Sequence, residues 1–171
     1  VAARLHEKAN GRGGSPGETE VAEAKSSGAE RTFSNDIGTE KDVDRELFNV
    51  ACIVAHRMRR ADFYTSCVSV FIKYKDFSVV QRQHQISQPT NITAIILNEA
   101  RALIRDIWDG ESPIRQIGLG VSKLTHENTV QMSLFEDPKM DFYREWDRKY
   151  DEKKSQNEDA KTLAYERMKQ Q

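Results

Sequence analysis

The chain has 171 residues, of which 31% are charged, with a mean hydropathy of −0.72 and a formal net charge of −1. That length supports one compact domain with solvated extensions, and the near-neutral balance excludes recognition of a polyanion by bulk charge alone. No apolar run is long enough to span a bilayer and no basic-then-apolar leader opens the chain, while Cys52 and Cys67 have neither the number for a disulfide framework nor the spacing of metal ligands, so they read as free thiols of a reducing compartment.

Ala2, Leu5 and Ala9 recur at helical spacing, and the glycines and proline between Gly11 and Gly17 end that scrap as a linker. With no strand before it and no Lys-Ser or Lys-Thr after it, this stretch is not a phosphate-cradling loop. Lys25 to Phe33 reads as a strand, with Gly28 marking a bulge or a close backbone approach. Thr39 followed by Asp42 is a helix-start signature, with Asp42 expected to cap reciprocally. Val43, Leu47, Val50, Ala51, Val54, Ala55 and Met58 then share one helical face. Asp42 and Asp44 suit the positive end of that helix, and Arg57, Arg59 and Arg60 suit its negative end.

Ser66 to Phe77 is the longest strand-like run. Val68, Val70 and Ile72 alternate with Cys67, Ser69, Phe71 and Lys73, a period of two that predicts one face on a core and one free. Ser78 to Ser87 reads as the returning strand. Val80 and Ile86 share a face with Arg82 and His84, and Gln81, Gln83 and Gln85 share the other, a conflict that a bulge would resolve. A second helix starts at Pro89-Thr90-Asn91, buries Ile92, Ile95, Ile96, Ala100, Leu103 and Ile107, and stops at Asp109-Gly110. In the last strand, Pro113 to Leu124, Ile117, Leu119 and Val121 oppose Gln116, Gly118, Gly120 and Ser122. Two glycines on one face imply either poor strand formers near an edge or a place where another backbone comes close.

The order predicts an α+β fold, the split β-α-β-β-α-β pattern: four strands with two helices on one face and the other face bare. Residues 63–124 carry 7 Lys+Arg against 5 Asp+Glu, a balance of +2, and residues 125–171 carry 9 against 11, a balance of −2. Any anion-binding surface must therefore come from placement of charges and amides. Beyond Leu124 the chain is polar except for the island at Leu134 and Phe135. Asp137 and Pro138 then start a helix carrying Met140, Tyr143, Trp146 and Tyr150, followed by a solvated run from Asp151 to Asp159 and a short frayed helix from Lys161.

Several stretches together resemble the little-finger region of Y-family translesion DNA polymerases of the DinB type. They are Lys25-Ser26-x-Gly28-x-Glu30-x-Thr32-Phe33, Lys73-Tyr74-x-Asp76-Phe77 with Arg82 after it, and Gly118-x-Gly120-Val121-Ser122-x-Leu124. Ala9-x-Gly11 with Ser15-Pro16 resembles the end of the preceding thumb, and Gln131-x-Ser133-Leu134-Phe135 resembles the family's clamp-binding peptide. The likeness covers residues 5–136 in family order. Ser27 and Gly13 depart from the usual pattern, and the tail after Phe135 has no family reading.

The resemblance implies a division into a thumb-end remnant and linker (1–24), a DNA-binding domain (25–124) and a clamp-peptide segment (125–137); the charged tail that follows (138–171) reads from its residues alone as partly helical or disordered. The resemblance implies non-sequence-specific contact with template-primer duplex through Ser26, Gly28, Thr32, Lys73, Tyr74, Arg82, Arg115, Gly118 and Gly120. The glycines, Ser26 and Thr32 would offer amides or hydroxyls, and the cations would add charge. It implies a bacterial sliding clamp bound through Gln131, Met132, Ser133, Leu134 and Phe135. The family's metal-binding palm carboxylates have no counterpart in this sequence, so no cofactor and no catalysis are expected of this chain by itself, with magnesium belonging to the full-length polymerase. A cytoplasmic monomer with no membrane partner is the accompanying expectation. An unrelated βαββαβ regulatory or small-molecule-binding domain is the alternative.

Overall fold

The structure is a computed structural model that describes residues 26–126 and 137–169. Its elements are β1 (Ser26–Ile37), α1 (Glu40–Arg60), β2 (Tyr64–Tyr74), β3 (Val79–Thr90), α2 (Thr93–Ile107), β4 (Ile114–Thr125) and α3 (Pro138–Lys169). The expected β-α-β-β-α-β order is present, with a third helix after it. The strands form one antiparallel sheet in the order β1-β4-β2-β3.

The alternation in β2 sets the core. Val68, Val70 and Ile72 pair with Val121, Leu119 and Ile117 of β4, and all six side chains are buried under α1 and α2. Every residue of the α1 stripe predicted from spacing is buried. In α2 the stripe shifts: Ile92 is the cap residue, and Leu97 and Ile104 join Ile96, Ala100 and Leu103 in the core. Thr39 Oγ1 accepts the Asp42 amide at 3.2 Å, as the start signature requires. The reciprocal half of the cap does not form, because Asp42 accepts from Arg45 instead at 2.9 Å. Asp44 likewise serves more than the helix dipole: it takes a two-pronged contact from Arg101 of α2, at 2.6 and 3.0 Å, and ties the two helices together.

Of the two readings of Gly28, the close backbone approach is the one present: it pairs in register with Gly120, a β-carbon there would stand 3.3 Å from the Leu119 carbonyl oxygen, and the irregularity in β1 falls between Thr32 and Ile37. β3 does carry a bulge, since Thr65 pairs with Thr90 while Cys67 pairs with Gln85, leaving the extra residues around Ile86 to Pro89. That bulge lies beyond Gln85, so it does not reorient Arg82. Cys52 and Cys67 are both free and buried.

The tail is one continuous helix, where a polar run and a separate frayed helix were predicted. Asp137 Oδ1 accepts the Lys139 amide at 3.0 Å ahead of Pro138, the expected start. Pairs of Arg144 with Asp141 and of Arg148 with Glu145 and Glu152 lie three or four residues apart along it. Each such pair supports a helix by about 0.2–0.5 kcal/mol, which favours the helix between Asp141 and Glu152. No helix among the described residues is long and apolar enough to cross a membrane.

Candidate nucleic-acid interface

The face of the sheet away from α1 and α2 is built from four cross-strand rows. Reading β1, β4, β2, β3, they are Ser26–Ser122–Cys67–Gln85, Gly28–Gly120–Ser69–Gln83, Glu30–Gly118–Phe71–Gln81 and Thr32–Gln116–Lys73–Val79. The face is polar but nearly uncharged: among these residues only Glu30 and Lys73 carry charge. Its centre is not bare. The Phe71 ring lies over Gly118, so close that a β-carbon there would stand 2.0 Å from the ring. Ser69 Oγ fills the space above Gly120 and bonds its carbonyl at 3.4 Å.

The predicted contact residues divide into those on exposed positions and those spent on the fold. Gly118 and Gly120 stand on β4, a central strand with neighbours on both sides, so their amides are committed to the ladder and cannot reach a phosphate. They are there for close packing under Phe71 and Ser69. Tyr74 also leaves the open face. It packs against the core, its hydroxyl reaches the Ile107 carbonyl at 3.4 Å, and burial, with the nearby Asp109 carboxylate, raises its pKa. Arg82 pairs with Val70 and so projects on the helix side, 3.8 Å from Asp106 of α2.

The edge strand β1 is different. Arg57 of α1 reaches around it and donates to the Gly28 carbonyl at 2.8 Å. That carbonyl therefore points off the sheet, and alternation gives the Gly28 amide and those of Ser26, Glu30 and Thr32 the same direction. Ser26, Gly28 and Thr32 thus share one free edge with the Arg57 guanidinium beside it. Lys73 stands on the open face, and Arg115, at the bulge where β4 slips against β2, stacks over Phe77 at 4.6 Å. Arg57 was read only as a partner of the helix dipole; in the structure it completes this edge. The sequence held no signal for that role, because it depends on which strand runs beside α1. The clamp-peptide residues Gln131, Met132, Ser133, Leu134 and Phe135, and the thumb-like stretch from Ala9 to Pro16, lie outside the described residues.

No group of three or more His, Cys, Asp or Glu side chains among the described residues is placed to hold a metal ion.

The domain described as "impB/mucB/samB family C-terminal domain" matches residues 24–134. The chain belongs to this family. It corresponds to the C-terminal, little-finger region of a Y-family polymerase of the DinB type. Among curated relatives, DNA polymerase IV of Streptococcus suis (strain 98HAH33) is 33% identical over 118 residues, covering 69% of this chain and 33% of that protein. DNA polymerase IV of Bacteroides fragilis (strain YCH46) is 30% identical over 118 residues, covering 69% and 32%. The chain thus spans about a third of the length of the curated relatives it matches. A solved structure titled "Complex of beta-clamp processivity factor and little finger domain of PolIV" aligns over 65% of this chain and 99% of its own, at 23% identity and a TM-score of 0.49. The family domain ends before α3 begins, so the third helix is an addition to the matched unit.

Proposed function

We propose that this little-finger region grips duplex DNA without reading its sequence and tethers its polymerase to a sliding clamp during synthesis past damaged bases. The observation that carries the DNA reading is the β1 edge, where Ser26, Gly28 and Thr32 align outward-pointing amides beside Arg57, next to a polar sheet face bearing Lys73. Backbone amides and hydroxyls suit phosphate oxygens, and such contacts position a duplex without specifying bases. Arg115 extends the cationic rim from the bulge in β4. Nucleotidyl transfer belongs to the rest of the polymerase. No activity is assigned to this chain alone, and magnesium would be held elsewhere. Titrating fluorescent duplex DNA across a range of salt tests the grip. With 3–4 phosphates neutralised, log affinity falls against log salt at a slope of about −3. A flat response removes the reading.

The clamp reading rests on Gln131-Met132-Ser133-Leu134-Phe135, with the Gln131 amide anchoring and Leu134 and Phe135 entering an apolar pocket. Burying two such side chains contributes about 3–6 kcal/mol before ordering costs. Calorimetry with a bacterial clamp, comparing the chain with its Leu134→Ala plus Phe135→Ala variant, decides it. Equal affinities would remove the clamp from the account and leave the DNA reading standing.

A further inference from the structure

The third helix is held to the domain in an unusual way. Of the residues in α3 described above, the one that is buried is a carboxylate, Asp147, 3% exposed. The predicted apolar positions stay at the surface or half-buried: Trp146 meets Phe48 edge-on at 5.8 Å, and Tyr150 meets His56 edge-on at 5.8 Å. An amphipathic helix is ordinarily seated by its apolar stripe. This one is seated by charge.

The seat is Arg59 at the end of α1. Its Nε and one terminal nitrogen donate to the two oxygens of Asp151 at 2.8 and 2.7 Å. Its other terminal nitrogen donates to the Asn91 carbonyl at 2.9 Å and to Thr93 Oγ1 at 3.1 Å, and lies 3.1 Å from Asp147 Oδ2. The planar fork of a guanidinium is suited to such a hub. Asp147 Oδ2 also accepts the Thr93 amide at 3.2 Å. Ile92, the cap residue of α2, offers no side-chain cap of its own, so a carboxylate borrowed from α3 supplies one of the bonds that the helix start needs. His56 Nδ1 joins Asp151 at 2.8 Å, and Arg60 reaches Glu158 at 2.9 Å.

The seat is also imperfect. Asp147 Oδ1 and His56 Nε2 are buried without a hydrogen-bond partner. A cleft of about 900 Å³, lined by Arg59, Asp147 and Asp151 among others, runs along one side of the hub. Buried polar groups left unpaired oppose the contact, and elements with little buried apolar surface open at lower cost than the core.

We propose that α3 is a detachable latch. It docks on the back of the domain through the Arg59 hub, caps α2 while docked, and releases as a unit without unfolding the sheet, uncovering the guanidinium groups of Arg59 and Arg60 beside His56. The helix lies outside the matched family domain while its seat lies within it, and the latch does not depend on the DNA or clamp readings.

The test uses the full chain in a Trp108→Phe background, so that emission reports Trp146 alone, together with hydrogen exchange at two amides. The Thr93 amide reports the cap and the Val70 amide reports the sheet core. In Arg59→Met, which keeps the aliphatic stem, and separately in Asp151→Asn, Trp146 emission moves to the red. The Thr93 amide exchanges about tenfold faster or more, while Val70 keeps its protection. Two results overturn the proposal. If Thr93 and Val70 lose protection in step in both variants, α3 is part of the cooperative core. If Trp146 emission is unchanged in both, the hub does not hold the helix.

Discussion

Phe71 and Gly118 face each other across β2 and β4, and the ring occupies the volume that any side chain at 118 would need. The glycine is required by its neighbour, since no turn or left-handed backbone asks for it there. Gly118→Ala therefore forces the ring out of place and destabilises the domain by about 1–3 kcal/mol. Phe71→Ala loses the contact but opens the space. The double variant is then less unstable than the sum of the two singles, a coupling that urea unfolding of the four chains measures directly.

Asp147 and Asp151 sit four residues apart on α3 and respond oppositely to losing their charge. Burial pushes the Asp147 pKa up, and Arg59 and the bonds from Thr93 only partly offset it. Burial also acts on Asp151, but there the bonds from Arg59 and His56 outweigh it and the pKa falls below the ordinary 3.8. Asp147→Asn, which keeps an acceptor for the Thr93 amide, is expected to cost little at neutral pH. Asp151→Asn is expected to cost about 1.5–3 kcal/mol of docking, the range for a bond to a charged group. The pH dependence follows the same signs. The Asp151 contribution is complete above 3.8 and fades as pH falls through its lowered value. The Asp147 term runs the other way, penalising docking as pH rises through its raised value. Trp146 emission followed from pH 7 to pH 2 in the two variants separates them.

At the start of α1 the two halves of the predicted capping box part company. Thr39→Ala removes the bond to the Asp42 amide and costs about 1 kcal/mol. Asp42→Ala loses an exposed bond to Arg45 and some favourable dipole interaction, about 0.3–1 kcal/mol. Thermal unfolding of each ranks them, with the threonine first.

The DNA reading makes a residue-level demand. Lys73→Ala and Arg57→Ala each flatten the salt slope by about 0.9, one neutralised phosphate apiece. Arg101→Ala leaves the slope alone, because Arg101 is tied to Asp44 among the helices. Equal effects from all three would place the contact elsewhere.

What the sequence made legible was whatever depends on local periodicity. The alternation through Val68, Val70 and Ile72, the α1 stripe and the strand-helix order all appear in the structure. What it hid depends on which strands become neighbours. Gly118 and Gly120 looked like bare backbone until β4 proved central and Phe71 fell opposite. Arg82 and Tyr74 could not be assigned a side until the register of β3 and the bulge in β4 were fixed. The seat of α3 was hidden most completely, because Arg59 and Asp151 lie 92 positions apart and an acidic residue within an aromatic stripe reads as solvated.

The pair of Arg60 with Glu158 is the furthest point along α3 that meets the rest of the domain in the contacts described above. Beyond it the helix continues to Lys169. From Asp151 to the last turn the axis runs roughly 27 Å at 1.5 Å per residue. A tilt of about 10° at the Arg59 hub would therefore swing the far end by about 5 Å by that geometry. The projecting helix acts as a pointer that magnifies small movements at its pivot. A spin label or dye on Lys169 would register a loosening of the Arg59 contact too slight to disturb any distance within the sheet.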